Sequence, residues 1–355
     1  MRVVAQSLAA AAVAVTGFVV PATHASAGTV TWQLMQAPTA GSLPDSATSA
    51  WGLSASTDGT VSAVHWNGSA WSSSALTRTA TESAIAGSGP GNAWVVGSRR
   101  VGYARYQPYM THFDGSAWTE FALADDGASE MLDSVAILSP SNVWAAGTHL
   151  LAHWDGSQWS RVTPPAPPGA AGSQVQLVTA SGTDLWAAGT AAVGGSTVEF
   201  AARWDGTSWT VTSTLAAASG HWWEVHNIAA SSPDNAWLSI TDNDPNFNTS
   251  ALAAHWNGTS WTIMPMPKVG TMQTLTWIAA SGGDAYAAGT YQNATGSDNA
   301  FRAVVYHWSG SAWARVPFPV TTDYSDAGSV GYVPGSGAIW VGGGDPAGDF
   351  VARTG

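Results

Sequence analysis

The sequence predicts an all-β chain: a seven-bladed β-propeller of four-stranded blades, its ring closed by the N-terminal strand pairing with the C-terminal strands. Three observations lead there. The phrase HisTrpAspGlySerGlnTrp at 153–159 returns, slightly altered, at 65–71, 112–118, 203–209, 255–261 and 307–313. A second phrase, in which a Ser/Gly/Pro/Asn turn leads into Trp-Ala-Ala-Gly, precedes each copy. The pair recurs about every 42–54 residues, the period of a propeller blade. Lastly, the two ends of the chain each resemble one strand of the first hairpin.

From the N-terminus, residues 1–27 read as a secretory leader outside the fold. Arg2 supplies a positive start, an apolar run follows from Leu8 to Val20, and Ala25-Ser26-Ala27 has the small residues of a cleavage site. The run is short for a membrane span, so a signal peptide is favoured over a retained anchor, and 28–355 is expected to be one exported domain.

The first phrase is a hairpin. Asn-Gly or Asp-Gly between apolar flanks signals a tight two-residue turn, because both central residues of a type I′ turn need φ > 0. Pairing outward from Asn67-Gly68 places Trp66 opposite Ser69, His65 opposite Ala70 and Val64 opposite Trp71. The indoles then share one face and His65 takes the other. His65, His112, His153, His255 and His307 sit at equivalent points of different blades. They cannot converge on a metal, and packing and hydrogen bonding between blades is expected of them. AsnGlySer at 67–69 and AsnGlyThr at 257–259 match a glycosylation acceptor, which the turn itself explains.

The second phrase supplies the other hairpin of each unit. Its copies centre on Trp51, Trp94, Trp144, Trp186, Trp237, Tyr286 and Trp340, which counts seven units. Complete first phrases number only six. PheValAlaArgThrGly at 350–355 resembles a third strand stopping at its turn, and ThrValThrTrpGlnLeuMetGlnAlaPro at 29–38 resembles a fourth strand. Trp32 then supplies the seventh indole, and pairing with 349–354 leaves no open sheet edge. No helix is expected after the leader, since Gly, Pro, Ser and Thr interrupt every run. ProProAlaProProGly at 164–169 reads as a stiff connection between blades.

Composition narrows the function. The net charge of −12 argues against nucleic acid, which needs clustered Lys and Arg. There is no cysteine, which excludes disulfides and thiol chemistry. No serine-triad or phosphate-loop signature occurs, and GlyGlyGly at 342–344 lacks the motif around it.

A site is expected on the face carrying the irregular connections 99–109, 241–248 and 291–299, because the opposite face has short, repeated turns. HisTrpTrpGluValHis at 221–226 enters the fifth inner strand with two indoles that belong to no repeat position, and Trp277 follows one unit later. Trp222, Trp223, Trp277, His221, Tyr103, Tyr106 and Tyr291 are therefore the candidate ligand contacts, stacking on apolar sugar faces or aromatic ligands, with a hydrophobic plug between inner strands as the alternative. Glu224, His226 and Asp133 are the candidate acid–base groups. Glu82, Glu130 and Asp326, with Tyr324, are further groups near the channel mouth. Asp242, Asp244 and Asn246 alternate like the start of a calcium loop. Phe247 stands where that loop needs glycine, so a solvated turn is the better reading and Ca²⁺ the lesser one. No other cofactor is expected.

Across the mature chain the Val-Trp-Ala-Ala-Gly and His-Trp-Asp-Gly-Ser-x-Trp elements resemble those of tectonin-like and kelch-like β-propellers, and of Trp-rich secreted bacterial repeats likened to the galactose oxidase propeller. Tectonin-type propellers are commonly lectins, so the resemblance implies a carbohydrate ligand; no ligand residue carries over, because the blades here are longer. The AspGlySerGlnTrp turn at 155–159 is also similar to the Asp-box of sialidases. A copper radical oxidase would need a Cys–Tyr crosslink, and a sialidase an arginine cluster that no inner strand supplies. The expectation is thus a monomeric, secreted propeller with no nucleic-acid partner and no membrane span. It would bind an extracellular glycan or other extracellular ligand. A glycoside hydrolase or polysaccharide lyase using channel carboxylates, and a protein-interaction scaffold, are the alternatives.

Overall fold

The computed structural model describes residues 30–354 apart from 40, 57–59, 77–79 and 294–299. The Glu82 side chain and the leader expected over 1–27 lie outside the described residues. Seven four-stranded antiparallel sheets form the blades. Blade 1 comprises Ser42–Ser46, Ser49–Ala55, Val61–Trp66 and Trp71–Ala75, and blade 2 Thr81–Gly87, Ala93–Val101, Arg105–Phe113 and Trp118–Phe121. Blade 3 is Ser134–Ser139, Asn142–Gly147, Leu150–Trp154 and Trp159–Arg161. Blade 4 is Ala170–Ser181, Asp184–Val193, Ser196–Trp204 and Trp209–Leu215. Blade 5 runs Trp222–Ser232, Asn235–Asn243, Thr249–Trp256 and Trp261–Pro265, and blade 6 Met272–Ser281, Asp284–Gln292, Phe301–Trp308 and Trp313–Arg315. There is no α-helix among the described residues, and so no helix long and apolar enough to cross a membrane.

Blade 7 is built from both ends of the chain. Ser329–Tyr332, Ile339–Asp345 and Gly348–Thr354 are completed by Trp32–Gln36, with Trp32 opposite Thr354 and Gln36 opposite Phe350. The ring therefore closes through ladder hydrogen bonds, as the hairpin divided between the two ends predicts.

The repeated hairpin differs from its expected register. Trp66 pairs directly with Trp71 and His65 with Ser72, so the loop has four residues rather than two. Its first residue makes the difference. The Asn67 side-chain oxygen accepts the Ser69 and Ala70 N–H groups and the Ser69 hydroxyl at 2.9–3.0 Å, and only Gly68 needs positive φ, at 95°. Asp155 repeats this with Ser157 and Gln158, and Asp205 with Thr207 and Ser208. An Asx side chain thus substitutes for a second left-handed residue, which is why Ser or Thr follows the glycine. The three donors hold the exposed Asp155 carboxyl down at about 2.

The histidines act within blades rather than between them. His112 lies opposite Trp94, stacks on it at 4.5 Å and 21°, and meets Asn92 Oδ1 at 2.6 Å. His153 on Trp144 and Asn142, and His255 on Trp237 and Asn235, repeat the arrangement. A strand-2 indole thus has an imidazole on one face in four blades, at Trp51, Trp94, Trp144 and Trp237, whereas Trp186 and Trp340 lie opposite Arg203 and Arg353. The indoles' other contacts cross to the next blade: Trp94 to Trp154 and Trp159 at 5.2 Å, Trp144 to Trp204 and Trp209 at 5.6 Å, and Trp237 to Trp308 and Trp313 at 5.5 and 5.4 Å. Trp340 of blade 7 reaches Trp66 and Trp71 of blade 1, so the indoles hold the ring across its seam as well. Such ring pairs contribute about 0.5–1.5 kcal/mol each beyond the area they bury.

The glycine ending Trp-Ala-Ala-Gly follows from close approach of the inner strand. A Cβ on Gly189 would collide with the Gln174 carbonyl, and one on Gly289 with the Thr274 carbonyl. In both blades the inner strand is bulged immediately afterwards, between Val175 and Leu177 and between Leu275 and Trp277.

Candidate functional site at the mouth of the axial channel

The seven inner strands line an axial cavity of about 1040 Å³, to which every blade contributes residues. Its wall is mixed. Ile85, Ile137, Leu177, Ile228 and Ile278 give apolar surface, while Ser83, Asp133, His226 and Asn227 add polar groups and Trp277 an indole. These last five are the first residues their strands or the approaches to them give to the channel wall, at the end facing the long connections; His226, Asn227 and Trp277 lie midway along their longer strands.

Backbone irregularity aims two of them. The ladder skips Ser83 between Glu82 and Ala84 and His226 between Val225 and Asn227, so both are the extra residue of a β-bulge. Bulges re-aim side chains out of the regular alternation and are frequent beside functional sites. Asp133 precedes the third inner strand, anchored by its N–H to the Ala146 carbonyl at 2.8 Å. Burial pushes its carboxyl above the ordinary carboxylate range, against the Thr148 backbone N–H and the Ser83 hydroxyl, which hold it down. His226 meets Thr241 Oγ1 at 2.9 Å, and burial lowers its imidazole pKa despite the Glu224 charge. Asn227 Oδ1 accepts the Ile278 N–H at 3.3 Å, tying blade 5 to blade 6 beside Trp277.

Of the residues picked from sequence, the channel brings together Asp133, His226 and Trp277. Glu224 is exposed at the rim, 4.0 Å from His226 Nε2. Trp223 is partly buried between blades 4 and 5 and donates its indole N–H to Asp242 Oδ1 at 2.9 Å, while His221 Nδ1 meets Asp242 Oδ2 at 3.0 Å. Trp222 is exposed and packs edge-on against exposed Phe247, forming a separate shelf. Tyr291 lies under the Arg315 guanidinium. Tyr103 caps a hairpin and Tyr106 lies beside it on blade 2, on the other side of the ring from Trp222. The stretch 99–109 is mostly extended strand rather than loop.

Glu130 is not at the channel: it is buried and doubly bonded to Arg161, at 2.9 and 2.5 Å. Asp326 is half-buried, its carboxyl raised by burial, and the exposed Tyr324 packs on Phe301 instead. The alternating acids of 242–246 do not face a common point. Asp242 is engaged by His221 and Trp223, and Asp244 accepts the Asn246 and Asn248 N–H groups as a turn cap. Among the described residues no cluster of three or more His, Asp or Glu is placed to hold a metal. Sequence reading missed Ser83 and Asn227, which are ordinary polar residues until the bulge and the ring place them.

Solved structures place the architecture among known propellers. The chain is similar to the structure described as YCF48 bound to D1 peptide, with TM-score 0.54 at 14% identity over 94% of this chain and 99% of that one. It is similar to a polysaccharide lyase, an ulvan lyase bound to an oligosaccharide, with TM-score 0.54 at 7% identity over 88% and 90%. The same lyase in a second structure gives TM-score 0.53 at 8% identity, with the same coverage. At such identities the likeness is one of fold. No protein-family model and no curated protein matches the chain. Fold and channel together define a seven-bladed β-propeller with one asymmetric mouth.

Proposed function

We propose that the protein is a ligand-binding propeller that takes a carbohydrate at the mouth of its axial channel, on the face of the long connections. The observation that carries this reading is the composition of that mouth: one indole, Trp277, with the hydrogen-bonding side chains of His226 and Asn227 on the adjacent blade and of Ser83 and Asp133 across the opening. An indole suits the apolar face of a sugar ring, and short polar groups suit its hydroxyls. The resemblance to tectonin-like propellers points the same way. An exported chain, as the leader-like residues 1–27 suggest, would meet such a ligand outside the cell.

Hydrolysis by a carboxylate pair fits the channel less well. Among the described lining residues the carboxylates are Asp133 and Asp45. Asp133 precedes its inner strand, whereas Asp45 falls near the end of its own, beside the short turn. Five residues of strand separate those levels, about 17 Å at the usual rise. Paired glycosidase carboxyls stand about 5–10 Å apart. A lyase needing only one base remains the enzyme alternative, through His226.

The test is a glycan-array screen followed by calorimetric titration of the best glycan against wild type, Trp277→Ala, His226→Ala and Trp222→Ala. Binding lost in the first two variants and kept in Trp222→Ala supports the channel mouth. Loss only in Trp222→Ala moves the site to the rim shelf. Product release from a bound polysaccharide would establish the lyase, and absence of any glycan binding refutes the proposal.

A further inference from the structure

The indole ring around the propeller has one gap, on the short-turn face and away from the channel mouth. At six interfaces a strand-2 tryptophan meets two aromatic rings of the following blade, such as Trp154 and Trp159, or Phe113 and Trp118 against Trp51. Between blades 6 and 7 all three places depart from the pattern. Tyr286 stands for the strand-2 tryptophan, and the strand-3 position opposite Trp32 is Thr354. Trp32 itself turns away, packing edge-on against Phe318 at 5.2 Å and donating its indole N–H to the Pro317 carbonyl at 2.8 Å. Tyr332, where other inner strands carry a small residue such as Ala280, fills part of the space by packing on Tyr286 at 5.8 Å.

What remains is an open notch of about 370 Å³ walled by Val30, Thr31, Gln33, Tyr286, Ile339 and Thr354. That volume is at the small end of ligand pockets, about 300–1,000 Å³. Its walls reproduce the setting of the other interfaces: the Tyr286 ring is stacked on His307 at 4.4 Å, and His307 is hydrogen-bonded to Asp284 at 2.5 Å. The stacked Tyr286–His307 pair is retained, with 8% of Tyr286 exposed beside Tyr332, and the ring that the neighbouring strand supplies elsewhere is missing.

We propose that this notch binds a single aromatic ring presented by a ligand, an indole or a phenol, in the place Trp154 or Trp308 occupies at other interfaces. The hydroxyl and amide groups of Thr31 and Gln33 at its edge would meet the polar edge of such a ring. A free aromatic metabolite and a tryptophan side chain of a peptide share this chemistry, and the two are separable by probe.

The test is fluorine NMR of fluoroindole titrated into the full chain, with intermolecular Overhauser contacts recorded to the methyl groups of Val30, Thr31 and Ile339. Saturable binding with those contacts is expected. Two variants fill the notch from opposite sides, Thr354→Trp and Tyr286→Trp. Each is expected to abolish binding, and Thr354→Trp to raise Tm by a few degrees by completing the stack. Tighter binding of N-acetyltryptophanamide than of fluoroindole would identify a peptide side chain as the source; its exclusion would identify a free aromatic. No saturable binding, contacts to other methyl groups, or binding that persists in either folded filled variant overturns the proposal. The Overhauser contacts decide the matter in the wild-type protein if neither variant folds.

Discussion

Replacing His255 with glutamine should change how stability depends on pH in a window that can be worked out in advance. The imidazole stacks on Trp237 at 4.0 Å and 17°, and its Nε2 donates to Asn235 Oδ1 at 2.7 Å. Burial lowers its pKa from 6.5 to about 4. The folded state thus resists a proton that the unfolded chain accepts. The stabilisation is complete above pH 6.5, falls as pH drops toward 4, and is constant below that. Two and a half pH units correspond to at most about 3.4 kcal/mol, and solvent screening of a partly exposed ring reduces this to about 1–2 kcal/mol. His65, His112, His153 and His226 are also lowered by burial and add the same sign. Glu199, raised by burial to about 7, has the opposite sign over the same window, because the folded state favours its protonated form; Asp133 and Asp326 do likewise nearer pH 4. The wild-type curve alone is therefore ambiguous, and the informative quantity is the difference between variant and wild type. Glutamine keeps a donor for Asn235 but cannot titrate. Urea denaturation at intervals from pH 7.5 to 4 should show the variant's deficit shrinking by about 1–2 kcal/mol on acidification. A deficit that stays constant across the window refutes the assignment of His255 as a neutral stacked ring.

Two further perturbations test the scaffold. Deleting 29–38 removes the fourth strand of blade 7 and exposes the edge of Gly348–Thr354, so the single cooperative thermal transition of the ring should be lost; a truncated chain that melts like the full one would disprove closure by this strand. In the repeated loop, Asp155→Asn should leave Tm near wild type, since Asn67 and Asn257 serve the same loops elsewhere, whereas Asp155→Ala removes the acceptor for three donors and should lower it. Equal effects of the two substitutions would show that the carboxylate does not hold the loop.

The fold was legible because propeller packing repeats its chemistry. Seven strand-2 aromatics, five Asx-Gly loops with a sixth Ser-Gly copy, and one hairpin divided between the two ends state the blade number and the closure without reference to any contact. What could not be read were quantities that depend on one atom's competition with another. The hairpin register turned on whether the Asn67 side chain or a second left-handed residue would satisfy the Ser69 and Ala70 N–H groups. The direction of the histidines turned on Asn92, Asn142 and Asn235, each two residues before its tryptophan in sequence but across the ladder from the imidazole. The site was less legible still. Asp133, His226 and Trp277 were picked out as chemistry-bearing residues, but Ser83 acquires meaning only from a bulge that propensity does not encode, and Asn227 only from its place on the channel wall against Ile278 of the next blade. Tyr103, Tyr291 and Trp222 share a face by topology yet lie on different blades.

That contrast locates where selectivity can reside. A scaffold whose interfaces are nearly equivalent presents nearly equivalent surfaces, and a ligand on the axis can be held in one orientation only by departures from that equivalence. The departures cluster. Blade 5 has Ile240 where Gly97, Gly147, Gly189 and Gly289 stand in other blades, carries the bulged His226, and follows it with Asn227. Blade 6 places Trp277 at the level where blade 4 has Leu177 and blade 2 has Ala84. Asp133 and Ser83 of blades 3 and 2 lie across the mouth from that indole, where the Ser83 hydroxyl helps hold the carboxyl's pKa down. A ring-shaped ligand laid on Trp277 would thus find a donor–acceptor pair on blade 5 beside it and a carboxyl–hydroxyl pair facing it. It would find no comparable groups if rotated by one or two blades. The asymmetry therefore favours one bound orientation against the blade 5 and 6 wall, and moving the indole by the paired change Trp277→Leu with Leu177→Trp should weaken binding even though the channel keeps the same side chains in total.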